Sequence, residues 1–300
     1  MRLTLLHNPN AGEEDHSRDH LEALLERSGH DVTYHSFEDD DWHEALDGRG
    51  DLIVVAGGDG SVRKLFTAIG PSRTVAAVLP LGSANNIART LGLDLERTAA
   101  LLAREGGEPR SFDVWDVTST WGASRCVEAV GGGLFAQILA KAAETSSEPS
   151  GQENVDFGLE LLAEKLAAAE ARPWTVELDG VRTEEDLIGL EAMNIREIGA
   201  HLSFAPEADP GDGRLDVVFV RPEDRDALFD YVQARLRDEQ AEFPSLPTRR
   251  AGHVVLEPPG DVRLHVDDAL PAWDLSFTSW VEATRADVQL DVLAESLGTR

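Results

Sequence analysis

Residues 51–69 read Asp51-Leu52-Ile53-Val54-Val55-Ala56-Gly57-Gly58-Asp59-Gly60-Ser61-Val62-Arg63-Lys64-Leu65-Phe66-Thr67-Ala68-Ile69. An apolar run of strand length meets three glycines in four positions, and a helical spacing of apolar residues begins at Val62. Glycines let the backbone take φ angles closed to other residues, and they let amide N–H groups approach an anion with no Cβ in the way. The helix that follows adds the positive end of its dipole. The stretch therefore reads as a phosphate-binding turn at a strand end. Asp59 stands where positive charge is wanted, which points to a bound Mg²⁺ or a substrate hydroxyl. An ordinary strand-to-helix turn with a helix-capping Asp would use the same letters.

The alternation extends in both directions. Leu3–Leu6 reads as a strand, 17–28 as a helix with Leu21, Leu24 and Leu25 on one face, and Val32–Phe37 as a strand. A helix near Trp42–Leu46, the strand Leu52–Ala56, a helix over Val62–Ile69 and the strand Thr74–Leu79 follow. This βαβ pattern predicts an α/β domain with a mainly parallel sheet over residues 1–112. Ligands of such sheets bind at the carboxyl ends of the strands. Two further glycine turns fall at strand ends, His7-Asn8-Pro9-Asn10-Ala11-Gly12 and Leu79-Pro80-Leu81-Gly82-Ser83-Ala84-Asn85-Asn86. Three such turns on neighbouring strands would face one crevice.

After Pro109 the texture changes to short apolar stretches between turn residues: Phe112–Thr118, Ser124–Val130, Thr175–Leu178, Asp186–Asn194, Arg214–Val220, His253–Leu256, Val262–Val266 and Asp274–Trp280. That density predicts a β-sandwich over residues 113–284, and a segment from about 285 to 300 is a candidate to return to the first domain. Helical stretches at Phe135–Ala143 and about Phe157–Ala171, joined by the polar loop Glu144–Gly151, make an insert that reads equally as a lid or as an edge cover. Asp224–Glu239 is another amphipathic helix.

Acidic residues outnumber basic ones 56 to 27, for a net charge of −29, and the lysines are Lys64, Lys141 and Lys165. Such a surface repels nucleic acid and an anionic bilayer over a Debye length of about 8 Å at physiological salt. The composition suits a protein of concentrated salt, and equally one kept soluble by its charge. The single cysteine, Cys126, excludes an internal disulfide and a thiolate zinc site and reads as a small core residue. No apolar run approaches the roughly 18 residues of a membrane span, and the first strand reaches His7-Asn8-Pro9 too early for a signal-peptide core. The expectation is a soluble, cytoplasmic protein.

Together the turns resemble the diacylglycerol kinase catalytic domain family, which includes bacterial lipid kinases, sphingosine kinases and ceramide kinases. The resemblance rests on Asn8-Pro9 with Gly12, on Gly57-Gly58-Asp59-Gly60-Ser61, on Pro80-x-Gly82-Ser83-x-Asn85 with Ala88-Arg89, and on Asp212-Gly213-x-Leu215-Asp216-Val217 before an apolar strand. NAD kinases and phosphofructokinases share a Gly-Gly-Asp-Gly turn, but the second turn and the late Asp-Gly-x-Leu-Asp strand look like the lipid-kinase branch. The resemblance implies a Rossmann-like parallel α/β domain followed by a β-sandwich, with ATP and Mg²⁺ as cofactors. The partner would be a lipid or amphipathic alcohol, with peripheral membrane contact. It also implies nucleotide contacts at Asn8, Gly12, Ser36, Gly57, Gly58, Asp59, Gly60, Ser61, Arg63, Gly82, Ser83 and Asn85. Asp59 and Asp113 look like members of the acidic network around the catalytic Mg²⁺, and Asp209, Asp212 and Arg214 match the turn of a structural metal. An acidic β-turn at 210–213 that needs no metal fits the same residues.

Two departures bear on activity. The second turn ends Asn85-Asn86 where the family usually has Asn-Asp, and the late Asp-Gly-Glu corresponds to Asp267-Asp268-Ala269. A methyl cannot accept a proton, so Asp267 or Asp268 becomes the candidate base. The alternatives are a nucleotide- and lipid-binding pseudokinase with little turnover, or an NAD kinase-like enzyme. Asp267-Asp268 also reads as a plain hairpin turn.

Overall fold

The computed structural model describes residues 1–11, 16–27, 29–47, 50–104, 107–144, 151–270 and 280–294. The chain divides into two compact units, Met1–Val114 with Asp287–Arg300, and Trp115–Ala286. In the first unit strands and helices alternate: β1 (Arg2–His7), α1 (Arg18–Arg27), β2 (Asp31–Ser36), α2 (Glu44–Asp47), β3 (Leu52–Gly57), α3 (Asp59–Ala68), β4 (Thr74–Pro80), α4 (Asn86–Thr90), α5 (Leu95–Arg104) and β5 (Glu108–Ser111). The sheet order is β2-β1-β3-β4, then Leu290–Ala294 from the far end of the chain, then β5. Neighbours run parallel except for the pairing of β5. The chain passes from β1 to β2 on one side and returns to β3 on the other, so the carboxyl ends of β1 and β3 flank the point where the winding reverses. Every residue of β3 is buried, which is why it reads as a continuous apolar run. Leu3, Leu5, Val54, Ala77 and Leu79 share a core with Leu21 and Leu25 of α1 and Leu102 of α5.

The second unit is antiparallel. Its elements are β6 (Trp115–Ser119), β7 (Gly122–Cys126), β8 (Ala129–Gly133), α6 (Leu134–Ala143), α7 (Gly151–Ala168), β9 (Arg172–Leu178), β10 (Val181–Leu187), β11 (Gly189–Met193), β12 (Leu215–Val220), α8 (Arg225–Leu236), β13 (Thr248–Ala251), β14 (His253–Glu257), β15 (Leu264–Val266) and β16 (Val281–Arg285); Leu290–Ala294 is β17. One sheet has the order β10-β9-β14-β16-β6-β7 and the other β13-β12-β11-β8-β15. Trp115, Val117, Trp174 and Val176 from the first meet Leu190, Ala192, Val217 and Phe219 from the second in a shared core. The far face of the second sheet, with Val218 and Val220, is covered by Leu159, Leu162 and Leu166 of α7 and Leu228 and Val232 of α8. The helical insert is therefore a layer of the core packed on a sheet face.

The expected class, a parallel α/β domain followed by a β-sandwich, is the observed one. The segmentation differs in places. Ser124–Val130 and Asp186–Asn194, each expected as one strand, are split into β7 and β8 and into β10 and β11, and the two halves belong to different sheets. The chain crosses between sheets at Val127 and Ile188, both buried apolar residues that look like strand interior in the sequence. Helix α3 begins at Asp59 rather than Val62, with the glycine turn forming its first turn. β13 and β16 lie in stretches read as connections, whereas residues 274–279 of the expected last sandwich strand and residues 145–150 of the loop lie outside the described residues. No helix of the described residues is long and apolar enough to cross a membrane.

Candidate functional site

Three strand ends in the first unit are tied together by backbone and short polar side chains. Gly58 precedes α3 with φ −86° and ψ −174°, a conformation open to any residue, so its glycine answers to space rather than to φ. A Cβ on Gly82 would stand 2.5 Å from Gly58 Cα, and one on Gly58 would stand 3.1 Å from Gly82 Cα. The turns after β3 and β4 thus pack backbone against backbone, and the Leu81 N–H donates to Gly57 O at 2.9 Å. Asp59 continues the link: its carboxylate accepts the N–H groups of Asn86 (2.9 Å) and Ile87 (3.0 Å) and caps α4. Asn85 closes the second turn from a left-handed conformation, φ 52°. It accepts the Gly82 N–H at 2.9 Å and donates to Gly82 O at 2.6 Å. From β1, Asn8 Nδ2 donates to Ser61 Oγ at 3.2 Å, and Asn8 Oδ1 accepts the Asn10 N–H at 3.1 Å.

These turns floor a cavity of about 410 Å³ lined by Asn8, Asn10, Ala11, Phe37, Glu38, Gly58, Gly60, Ser61, Lys64 and Gly82. The ammonium of Lys64 donates to Phe37 O at 3.0 Å and lies 5.1 and 5.0 Å from the rings of Phe37 and Trp42. The cavity thus combines the N-terminal end of a ten-residue helix, a lysine, a hydroxyl and glycine backbone, all of which favour an anion. Glu38 at its edge accepts from Asn10 Nδ2 at 2.7 Å. Ser36 is buried beneath that rim, where its Oγ accepts the Glu38 N–H at 3.1 Å.

Of the residues expected at a nucleotide, Asn8, Gly58, Gly60, Ser61 and Gly82 line the cavity, while Gly57, Asp59 and Asn85 hold its turns together. Ser36, Arg63 and Ser83 are not among its lining residues, and Gly12 lies outside the described residues. His7, in the first of these turns, is buried with Nδ1 3.2 Å from the Tyr34 hydroxyl. Burial, and then the nearby His16, hold its pKa below the usual histidine range, so it stays neutral and structural. Asn10 belongs to the first turn expected to face the crevice, whereas Phe37 and Glu38 were not expected there; Phe37 follows directly on β2, and the strand-end rule applied to that strand would have found it.

The remaining candidates divide between the units, Asp113 in the first and Asp209, Asp212, Arg214, Asp267 and Asp268 in the second. Asp267 occupies a tight turn at φ 50° in which Val266 and Ala269 exchange backbone hydrogen bonds. Its buried carboxylate accepts from Cys126 Sγ at 3.1 Å and from the N–H groups of Val127 (3.2 Å), Glu128 (2.8 Å) and Ala129 (3.2 Å). Those amides belong to the crossing between β7 and β8, so Asp267 satisfies the donors that the crossing releases. Asp268 is exposed in the same turn. In the acidic turn, Asp209 accepts the Gly211 N–H at 3.1 Å, Asp212 accepts the Arg214 N–H at 2.9 Å, and the second Asp212 oxygen pairs with the Arg250 guanidinium. Among the described residues no three His, Cys, Asp or Glu side chains converge as metal ligands.

A second polar group was not anticipated. Glu191 and His265, 0% and 1% exposed, meet with Oε2 to Nε2 at 2.9 Å, and His265 Nδ1 faces Asp267 O at 2.7 Å. Burial alone would lower the His265 pKa; the Glu191 carboxylate outweighs it, and the imidazole ends above its ordinary value. Both ring nitrogens face acceptors, as an imidazolium requires. The glutamate inside the apolar stretch Gly189–Met193 was its sequence signal.

Residues 2–117 match the diacylglycerol kinase catalytic domain, and residues 129–271 match the YegS C-terminal NAD kinase beta sandwich-like domain. The Pseudomonas putida protein named "Probable lipid kinase YegS-like" is 34% identical over 182 residues, 59% of this chain and 58% of that protein's length. The diacylglycerol kinase of Mycobacterium tuberculosis is 27% identical over 70% of this chain and 68% of its own. Among solved structures, a diacylglycerol kinase from Bacillus anthracis str. Sterne superposes with TM-score 0.68 at 20% identity, covering 98% of this chain and 97% of that one. Yeast NADH kinase complexed with NADH superposes with TM-score 0.54 at 10% identity, covering 99% and 84%. At these identities the structural likeness shows the fold.

Proposed function

Since the chain belongs to the diacylglycerol kinase catalytic domain family, we propose that it transfers the terminal phosphoryl group of ATP to a hydroxyl of diacylglycerol or a related lipid alcohol. The observation that carries this reading is the anion-ready cavity where the turns after β1, β3 and β4 are clamped by the Asn8–Ser61 and Asp59–α4 hydrogen bonds. Phosphoryl transfer asks mainly for positioning and for neutralisation of charge on the phosphates. The start of α3, the Ser61 hydroxyl and Lys64 do this for phosphate oxygens, and the glycines at 58 and 82 let those oxygens approach the backbone. Phe37, backed by Trp42, gives the rest of the nucleotide an apolar surface on the cavity wall.

Mg²⁺ ordinarily binds through one or two carboxylates together with substrate phosphates. Asp59, held at the floor of the turns by two amide donors, is the carboxylate that would hold it, and the bound ion would neutralise the transferring group. The turn at Asp209–Arg214 fits a second ion less well, because the Arg250 guanidinium already supplies positive charge to Asp212. We assign no proton-accepting role to Asp267, whose carboxylate serves four donors; Asp268 is the candidate that remains in that turn. That engagement of Asp267, with Ala269 beside it, favours as second reading a nucleotide-binding protein of slow turnover, since loss of a positioned base costs about 10²- to 10⁴-fold.

The test is transfer of ³²P from ATP, with Mg²⁺, to diacylglycerol and to a mixed lipid extract, with NAD as a parallel acceptor. Labelled lipid that disappears in Lys64→Ala and Asp59→Ala supports the proposal. Label in NAD alone overturns it, and ATP binding without labelled product favours the second reading.

A further inference from the structure

Glu38 stands just past the end of β2 and lines the first unit's cavity as an exposed side chain held by hydrogen bonds. Its N–H donates to the buried Ser36 hydroxyl at 3.1 Å, and its Oε1 accepts from Asn10 Nδ2 at 2.7 Å. Fixing an exposed glutamate costs side-chain entropy that a freely solvated acid keeps, so this carboxylate is presented rather than merely solvated. Asn10 belongs to a ladder of hydrogen bonds that climbs the cavity wall. Asn8 Nδ2 donates to Ser61 Oγ at 3.2 Å, Asn8 Oδ1 accepts the Asn10 N–H at 3.1 Å, and Asn10 passes on to Glu38. The ladder starts at the glycine turn after β3, crosses the turn after β1 and ends on the carboxylate beyond β2, following the sheet order β3-β1-β2. Two strand spacings of about 4.8 Å put roughly 10 Å between the ends of that path. Inorganic phosphate cannot span it; a nucleotide seated by its phosphates reaches the far end with its sugar.

The chemistry at that end fits a sugar. A carboxylate only accepts, and among the described residues Glu38 Oε2 accepts no hydrogen bond. Phe37 beside it is buried and offers an apolar face to a base. In dinucleotide-binding α/β folds an acidic side chain accepts a ribose hydroxyl while the phosphates sit at a glycine turn; here β1 stands between the two, and Asn8 and Asn10 bridge it. We propose that Glu38 accepts hydrogen bonds from the ribose hydroxyls of the bound nucleotide and so selects a ribonucleotide over its deoxy counterparts. The inference rests on the nucleotide reading of the cavity and deepens it by naming the residue that tells one nucleotide from another.

The experiment is titration calorimetry of the full chain, with Mg²⁺ and no lipid acceptor, comparing ATP, 2′-deoxy-ATP and 3′-deoxy-ATP in wild type and in Glu38→Ala. In wild type at least one deoxy nucleotide should bind about tenfold or more weakly than ATP, the effect of losing a hydrogen bond to a charged acceptor. The ratio of affinities is the readout, because Glu38→Ala also removes a charge that repels phosphate and so strengthens all three nucleotides together. In that variant the ratio should fall to about one. Glu38 is exposed, so the substitution tests binding rather than folding. Equal affinities in wild type, or a ratio that survives Glu38→Ala, would overturn the inference. The kinase reading is judged separately by ³²P transfer to lipid: discrimination without transfer sinks that reading alone, transfer without discrimination sinks the inference alone, and absence of ATP binding sinks both.

Discussion

The two units make their polar sites from different material. In the first, the cavity is floored by backbone: Gly58 lies against Gly82, a helix start stands above them, and Asn8, Asp59 and Asn85 hold turns in place. In the second, polar chemistry is carried by single side chains on rigid strands, Glu191 on β11, Asp216 on β12 and His265 on β15, each sunk in an apolar layer. A backbone site needs particular residue types in a contiguous stretch, because glycine and Asn/Asp serve turns for local reasons. A side-chain site needs one residue at one depth, and its partners come from strands far apart in the chain.

That contrast can be broken at its strongest point first. Removing one partner of a buried ion pair leaves an uncompensated charge, so Glu191→Ala should lose about 3–5 kcal/mol in urea unfolding. A loss below about 1 kcal/mol would mean that water reaches His265. The pH dependence has a definite sign. With its folded pKa above the ordinary 6.5, His265 contributes fully below about pH 6.5, and the contribution is lost as pH rises through the raised folded value. The wild-type minus Glu191→Ala difference should therefore narrow above neutrality.

In the backbone-built site, Gly82→Ala should cost about 1–3 kcal/mol, since the added methyl meets Gly58 Cα rather than a side chain that can swing away. Thermal unfolding with and without ATP reads both the cost and the expected loss of nucleotide stabilisation. Undiminished stabilisation by ATP would separate the glycine contact from the binding site.

Asp216 should act in the opposite direction. Burial, and then Glu207, raise its pKa from 3.8 to about 6, so the folded state holds its proton more tightly than the unfolded chain. Its contribution is most favourable below the unfolded value and becomes a cost as pH rises through the folded one. Asp216→Asn should thus stabilise the protein by on the order of 2 kcal/mol at pH 7.5, with the gain shrinking toward pH 4. A loss at pH 7.5 would show that the attraction of Arg250, whose Nε lies 3.7 Å from Asp216 Oδ2, dominates. The smallest effect is expected at Asp59→Ala, about 1 kcal/mol for removing the cap of α4, with a larger loss in phosphoryl transfer; a melting temperature lowered with transfer intact would make Asp59 a cap alone.

Legibility followed the same division. The βαβ alternation and the turns after β1, β3 and β4 could be read in sequence because each is a local pattern. The literal alternative for Asp59, a capping carboxylate, was also legible, but the helix it caps is α4 rather than its own. Asp267 could be read as a hairpin residue and not as the acceptor for amides 127–129, which lie about 140 positions earlier. The sheet crossings at Val127 and Ile188 were invisible because both residues are apolar and buried, like the interior of a strand.

By itself, then, the sequence determined the α/β unit followed by a sandwich, the glycine turns at three strand ends and the anion chemistry they favour, all consequences of short-range spacing and residue conformational preference. Only the tertiary structure decided which carboxylates are engaged and which are not. Asp59 caps a neighbouring helix, Asp267 stitches two strands, Asp212 pairs with Arg250, and Asp216 is buried with one oxygen that has no hydrogen-bond partner among the described residues. The letter Asp is the same at all four positions; burial and the partners brought up by distant segments differ, and a carboxylate's chemistry is set by those surroundings.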